Sequence, residues 1–173
     1  EEALTKGVRM KISSWKRLDH NMLPPAAKTV ANYANSSLAK VEALRAGYDE
    51  AILLNNEGLV SECTGENLFV VRNGKVITPP LSAGALEGIT QWSVIKILED
   101  LGYDVEKGNL ARSDLYIAEE IFCVGTAAEV SAINSVDDRS VPCPGPITLQ
   151  VADIYGKAVR GQLPQYKNWC ELA

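Results

Sequence analysis

The chain contains a single histidine, His20, and its four cysteines, at positions 63, 123, 143 and 170, include no C-x-x-C pair. That scarcity leaves a Cys/His zinc site without support, and no metal site is expected. No apolar run approaches the roughly 20 residues that a membrane helix needs. An excess of basic residues is also missing: 17 Lys and Arg stand against 22 Asp and Glu, a net charge of −5. Such a balance gives no reason to expect nucleic acid or an anionic membrane as partner. Internal repeats and low-complexity segments are absent. The opening run Glu1-Glu2-Ala3-Leu4-Thr5-Lys6 has neither an initiator Met nor a signal-peptide pattern, so a fragment or a processed product is expected.

What is present suffices for one domain. A length of 173 residues with 46% hydrophobic content supports a single core. A soluble, cytoplasmic domain is the expectation. Cys63 and Cys123 fall in strand-like segments and are expected as buried free thiols, which fit a reducing compartment.

Residues 7–15 alternate apolar and polar side chains and predict a strand. Leu23-Pro24-Pro25 then forces an extended or turning segment. Val30, Tyr33, Ser37, Val41 and Leu44 recur at helical spacing, with Gly47 as a stop. Residues 51–54 read as a strand returning through the turn 55–58 into residues 59–62. A second hairpin, 68–71 with 75–78, is joined by Asn73-Gly74, the pair that favours a type I′ turn. A helix is predicted from Ile89 to Leu101, ending at Gly102. A strand over 105–110, a short helix over 112–117, strands over 120–124 and 130–136, and a helix over 147–159 follow. Interleaved helices and hairpins point to a mixed sheet packed by helices, in an α/β (mixed α+β) class.

Four places offer chemistry. Lys28 lies among small and apolar neighbours where the extended segment meets a helix. A lysine in that setting loses hydration, which frees its amine for Schiff-base formation; an ordinary snorkelling lysine is the plainer reading. Glu62 sits in the polar run Ser61-Glu62-Cys63-Thr64-Gly65-Glu66-Asn67 between two apolar strands. It is either a carboxylate turned inward or a solvated hairpin residue. Gly88-Ile89-Thr90 opens a helix, whose free N–H groups attract phosphate, though a plain threonine cap is common. Gly125-Thr126-Ala127-Ala128 follows a strand with small residues only. It is either an anion-binding turn or a tight corner.

Taken together, Ala26-Ala27-Lys28 with Asn32-Tyr33, Ser61-Glu62 with Gly65-Glu66-Asn67-Leu68-Phe69, Gly88-Ile89-Thr90, and Gly125-Thr126-Ala127-Ala128-Glu129-Val130 resemble class IV (fold type IV) aminotransferases. These enzymes depend on pyridoxal 5′-phosphate (PLP), and the closest subgroup resembles the branched-chain aminotransferases. The resemblance runs from about Ile12 to about Val159. It implies a D-amino acid aminotransferase-like PLP fold, here the C-terminal pseudo-barrel domain with flanking helices.

By that resemblance Lys28 is the catalytic residue, forming the Schiff base with PLP and then moving a proton. Tyr33 would bond the cofactor's 3′-oxygen, and Glu62 would pair with its pyridine nitrogen. Leu86, Gly88, Ile89, Thr90 and Thr126 would line the phosphate site, partly through backbone N–H groups. Thr126, Ala127 and Ala128 would meet the substrate carboxylate. The implied reaction is transfer of an amino group from branched-chain L-amino acids to 2-oxoglutarate. D-amino-acid aminotransferase and aminodeoxychorismate lyase are rivals on the same fold. A folded, inactive fragment that binds PLP weakly or not at all is the non-enzyme alternative.

Two departures from the family stand out. Gln91 occupies a position where many members carry arginine, and only a peripheral contact is expected to change. The family's smaller N-terminal domain is expected to be missing from these residues, and with it an arginine for the phosphate and much of the side-chain pocket. The expected division is residues 1–10 as the end of an interdomain linker and first strand, 11–165 as the PLP-binding large domain, and 166–173 as a C-terminal tail. A homodimer or higher homo-oligomer is implied for the full-length enzyme, with amino acid and 2-oxo acid as small-molecule partners.

Overall fold

The computed structural model describes residues 2–170. Its helices are α1 (Glu2–Thr5), α2 (Val30–Arg45), α3 (Ile89–Asp100), α4 (Arg112–Tyr116) and α5 (Pro146–Ala158). Its strands are β1 (Val8–Lys16), β2 (Glu50–Leu54), β3 (Val60–Cys63), β4 (Asn67–Arg72), β5 (Lys75–Thr78), β6 (Val105–Lys107), β7 (Glu120–Gly125), β8 (Glu129–Val136) and β9 (Arg139–Ser140).

The strands form one mixed sheet in the order β3-β2-β1-β8-β7-β4-β5-β6, with β9 beside β8. Strand β1 is parallel to both β2 and β8, and the remaining neighbours are antiparallel except β5 with β6. The two ends of this order meet. Val60 N–H donates to Leu110 O at 2.8 Å, and Leu59 bridges Ala111. The chain just after β6 therefore closes onto β3, and the sheet curls into the expected pseudo-barrel.

Period-two alternation sorts the side chains between two cores. On β4, Leu68 and Val70 point into the barrel, while Phe69 and Val71 face α3 and α5; on β7, Ile121 and Cys123 point inward and Phe122 and Val124 outward. Burial on both faces explains why these strands read as unbroken apolar runs. Phe69 and Phe122 are register partners and stack at 5.0 Å between ring centroids. At the β4–β5 turn, Asn73 and Gly74 have φ of 51° and 73°, as a type I′ turn requires.

Helix α2 forms where the periodicity predicts, but its large apolar side chains are not the buried ones. Asn32, Ser36, Ala39 and Ala43 face inward, and Ala39 and Ala43 pack on Ala51 and Leu53 of β2. Small residues let the helix lie close to the sheet. Val30 (90% exposed), Leu38, Val41 and Leu44 then turn outward, Leu38 and Val41 beside half-exposed Trp15.

Three expectations need correction. The boundary set at residue 10 falls inside β1, which runs unbroken from Val8 to Lys16 because it is held between two parallel neighbours. Residues 164–169, partly assigned to a tail, form a 3₁₀ helix. Tyr166 anchors it: the ring is 5% exposed, packs 4.3 Å from Trp169, and its hydroxyl donates to Asp100 at 3.0 Å. The rest of the expected tail, 171–173, lies outside the described residues. Finally, Gln91 is not peripheral. It is buried, and its amide donates to Thr78 Oγ1 at 2.9 Å, whose hydroxyl donates to Leu68 O.

Candidate active site

A cleft, open at its mouth, is lined by Lys28, Tyr33, Glu62 and Leu86 together with Arg17, Asn32, Ser36 and the turn Thr64-Gly65-Glu66 before Asn67. Four of the sequence-derived positions thus converge from three separate segments. The β1-to-α2 connection supplies Lys28 and, one helical turn on, Tyr33. The strand β3 supplies Glu62.

Lys28 stands two residues ahead of α2, in a connection held by Asn32. The Asn32 amide donates to Pro24 O at 2.9 Å and to Ala27 O at 2.7 Å. Its own carbonyl, Oδ1, is buried and has no partner. Lys28 itself is exposed. The dehydration expected from its neighbours is therefore not found, because Ala26, Thr29 and Val30 are themselves exposed and Ala27 is only part-buried, so they build no wall over the amine.

Glu62 is the buried charge of the cleft. Its Oε1 lies 2.6 Å from Arg17 Nη2, with the two side chains 8% and 5% exposed. Its Oε2 accepts from Leu86 N–H at 2.9 Å and lies 3.4 Å from the Asn67 amide. Burial raises the carboxyl to about 7 against the opposing pull of Arg17 and the Leu86 N–H. Glu66 is also pushed up, first by burial and then by Glu50. Arg17 was missed from the sequence. It follows a strand with no motif around it, and only its tertiary partner 45 positions on marks it out.

Leu86 lines the cleft, but its backbone is committed: the N–H goes to Glu62 and the carbonyl accepts from Asn67 at 2.9 Å. A role for that N–H toward phosphate is not available. Gly88 caps α3, and a Cβ built there would stand 2.2 Å from Asn67 Oδ1. Glycine is required by this close approach, not by φ, which is −81°. The first-turn N–H groups, of Ile89, Thr90 and Gln91, have no intrahelical carbonyl. Ile89 is exposed, and Thr90 is buried with its hydroxyl 3.5 Å from Tyr155 Oη.

Thr126, Ala127 and Ala128 form the three-residue turn between β7 and β8, followed by Glu129 at φ 51°. They line a separate depression with Leu4 and Arg160, not the Lys28 cleft. Contact between the two is indirect: a Cβ at Gly125 would stand 3.2 Å from Gly65 O and 3.3 Å from Glu66 Cγ. The strand end that leads into the 126–128 turn thus touches the cleft wall.

A curled mixed sheet thus brings an amine, a phenol and a buried carboxylate around one cleft. Residues 1–136 match the family model for amino-transferase class IV, and the chain belongs to that family. It is 49% identical over 168 residues to a probable branched-chain-amino-acid aminotransferase of Aquifex aeolicus, covering 95% of this chain and 54% of that one. Against the branched-chain-amino-acid aminotransferase of Escherichia coli K12 the identity is 40% over 173 residues, covering 98% and 56%. Among solved structures, the branched-chain amino acid aminotransferase of Thermoproteus uzoniensis with norvaline superposes with a TM-score of 0.92 at 47% identity, covering 94% of this chain and 54% of that one. A second branched-chain amino acid aminotransferase, solved with pyridoxamine 5′-phosphate, gives 0.94 at 47%, covering 98% and 56%. The chain spans about half the length of these relatives.

Proposed function

We propose that this chain is the cofactor-holding part of a PLP-dependent aminotransferase acting on branched-chain L-amino acids, with 2-oxoglutarate as amino acceptor. The observation that carries the reading is the convergence of Lys28, Tyr33 and buried Glu62 on one cleft in a chain of this family. Relatives crystallised with pyridoxamine 5′-phosphate and with N-(5′-phosphopyridoxyl)-L-glutamate support the cofactor and the acceptor.

The residues present fit PLP. The cleft offers an amine for an aldehyde, a carboxylate for a ring nitrogen, a phenol for a ring hydroxyl, and an unpartnered buried acceptor, Asn32 Oδ1, at its wall. PLP, when bound, supplies a protonated ring that draws electrons from the amino acid's Cα. Lys28 would hold the cofactor through Nζ, then take and return a proton there. Glu62 would hold the proton on the ring nitrogen. Tyr33 would bond the ring's oxygen. The first-turn N–H groups of Ile89 and Thr90, at the positive end of α3, would face the phosphate with Thr126, while Leu86 packs as a wall. Thr126, Ala127 and Ala128 would receive the substrate carboxylate.

The outward apolar face of α2, with Trp15, Leu38 and Val41, fits a homo-oligomer in which this surface is covered. No helix among the described residues is long and apolar enough to cross a membrane, and a cytoplasmic location remains part of the proposal.

Incubation with PLP followed by borohydride reduction tests the reading. The reduced adduct should map to Lys28 and vanish in Lys28→Ala. An adduct retained on another lysine would sink the assignment. Half-reaction spectra with L-leucine, D-alanine and aminodeoxychorismate separate the branched-chain activity from its two rivals. Uptake of PLP with no reaction toward any of the three would leave a cofactor-binding but inactive chain.

A further inference from the structure

Both oxygens of the Glu62 carboxylate are gripped, Oε1 by Arg17 Nη2 at 2.6 Å and Oε2 by the Leu86 N–H at 2.9 Å. Arg17 is itself immobilised. Its Nε donates to Gly84 O at 3.1 Å, and its Nη1 reaches Ser36 Oγ at 3.4 Å. Gly84, at φ 94°, lies so close that a Cβ would stand 3.1 Å from Arg17 Cγ. The backbone at Arg17 is fixed as well, its N–H donating to Leu54 O at 2.8 Å. A guanidinium whose fork is spread over a carbonyl, a hydroxyl and one carboxylate is a charge with a direction.

We propose that Arg17 is the positioning residue of this cleft: its fixed ion pair aims Glu62 and favours its charged form, so that Glu62 is able to hold a proton on a cofactor's ring nitrogen. The last clause rests on the PLP reading above, whereas the control of Glu62 by Arg17 does not. A carboxylate buried to this degree without a cation takes up a proton and becomes neutral. A neutral acid in that place would compete with the ring nitrogen for the same proton. Three charged side chains act on Glu62: Arg17 from the end of β1, Lys28 from the connection to α2, and Glu66 from the turn after β3. Lys28 is exposed and Glu66 opposes the charge, so Arg17 carries the stabilisation.

The experiment follows the Glu62 carboxyl by 13C NMR in the full chain, assigned by the signal lost in Glu62→Gln. The wild type should titrate at about 7. In Arg17→Met the midpoint should rise by about one to three pH units. Arg17→Lys returns a cation without the planar fork and should rise by less, about half a unit or more. A midpoint unchanged in Arg17→Met overturns the proposal. Should that variant fail to fold, as judged by circular dichroism, Arg17→Lys decides alone, and an unchanged midpoint there overturns it equally. PLP uptake by the same proteins, followed by absorbance against pH, should lose affinity as Glu62 becomes neutral. A wild-type chain that takes up no PLP would refute the cofactor reading, and the titration would still decide the role of Arg17.

Discussion

Replacing Gly88 with alanine should disturb the site through a single methyl group. The new Cβ would stand 2.2 Å from Asn67 Oδ1 and 3.5 Å from Gln91 Cβ. The first distance is untenable, so the Asn67 amide must swing away. Asn67 is 6% exposed and has little room to do so. Its bond to Leu86 O at 2.9 Å would break, along with the longer contact to Glu62. A lost net hydrogen bond costs about 1 kcal/mol. Overpacking of a well-filled interior costs about 1–3 kcal/mol. Gly88→Ala should therefore destabilise the chain by about 2–4 kcal/mol, read as a lowered midpoint in urea denaturation. The decisive measurement is a double-mutant cycle with Asn67→Ala. Once the amide is gone the methyl meets nothing closer than Gln91, so Gly88→Ala in that background should cost about 1 kcal/mol or less. Equal losses in both backgrounds would refute the claim that Asn67 is what demands glycine here.

Two further outcomes follow from the geometry. The Glu62 carboxyl is raised from 4.5 to about 7 in the folded chain, which then binds a proton that the unfolded chain releases between those values. Its contribution is full below about pH 4.5 and falls as pH rises through about 7, by about 3 kcal/mol in all; Glu62→Gln should remove that part of the slope in denaturation curves at pH 5 and 8, and an unaltered slope would contradict it. Tyr166→Phe removes only the bond to Asp100 and should cost about 1 kcal/mol, while Tyr166→Ala should cost about 3 kcal/mol or more; a thermal melt indifferent to both would mean that the 3₁₀ helix does not hold to the domain.

Local physics made much of this protein legible in its sequence. The apolar runs of β4 and β7, the Asn73-Gly74 turn, and the glycine stops after α2 and α3 depend on neighbours a few residues away, and each falls where it was expected. The order of Lys28, Tyr33, Glu62 and the later motifs sufficed to identify the family. Tertiary structure alone decided what those residues touch. Helix α2 buries Ala39 and Ala43 and leaves Val41 and Leu44 outside, because closeness to the sheet outweighs side-chain size. Lys28 is exposed because nothing in its own segment covers it, and the Leu86 N–H is taken by a carboxylate 24 positions away. Arg17 shows the limit most plainly. Its charge is written in the sequence, but its significance comes from a 2.6 Å contact with Glu62 that exists only once β1, β2 and β3 lie side by side.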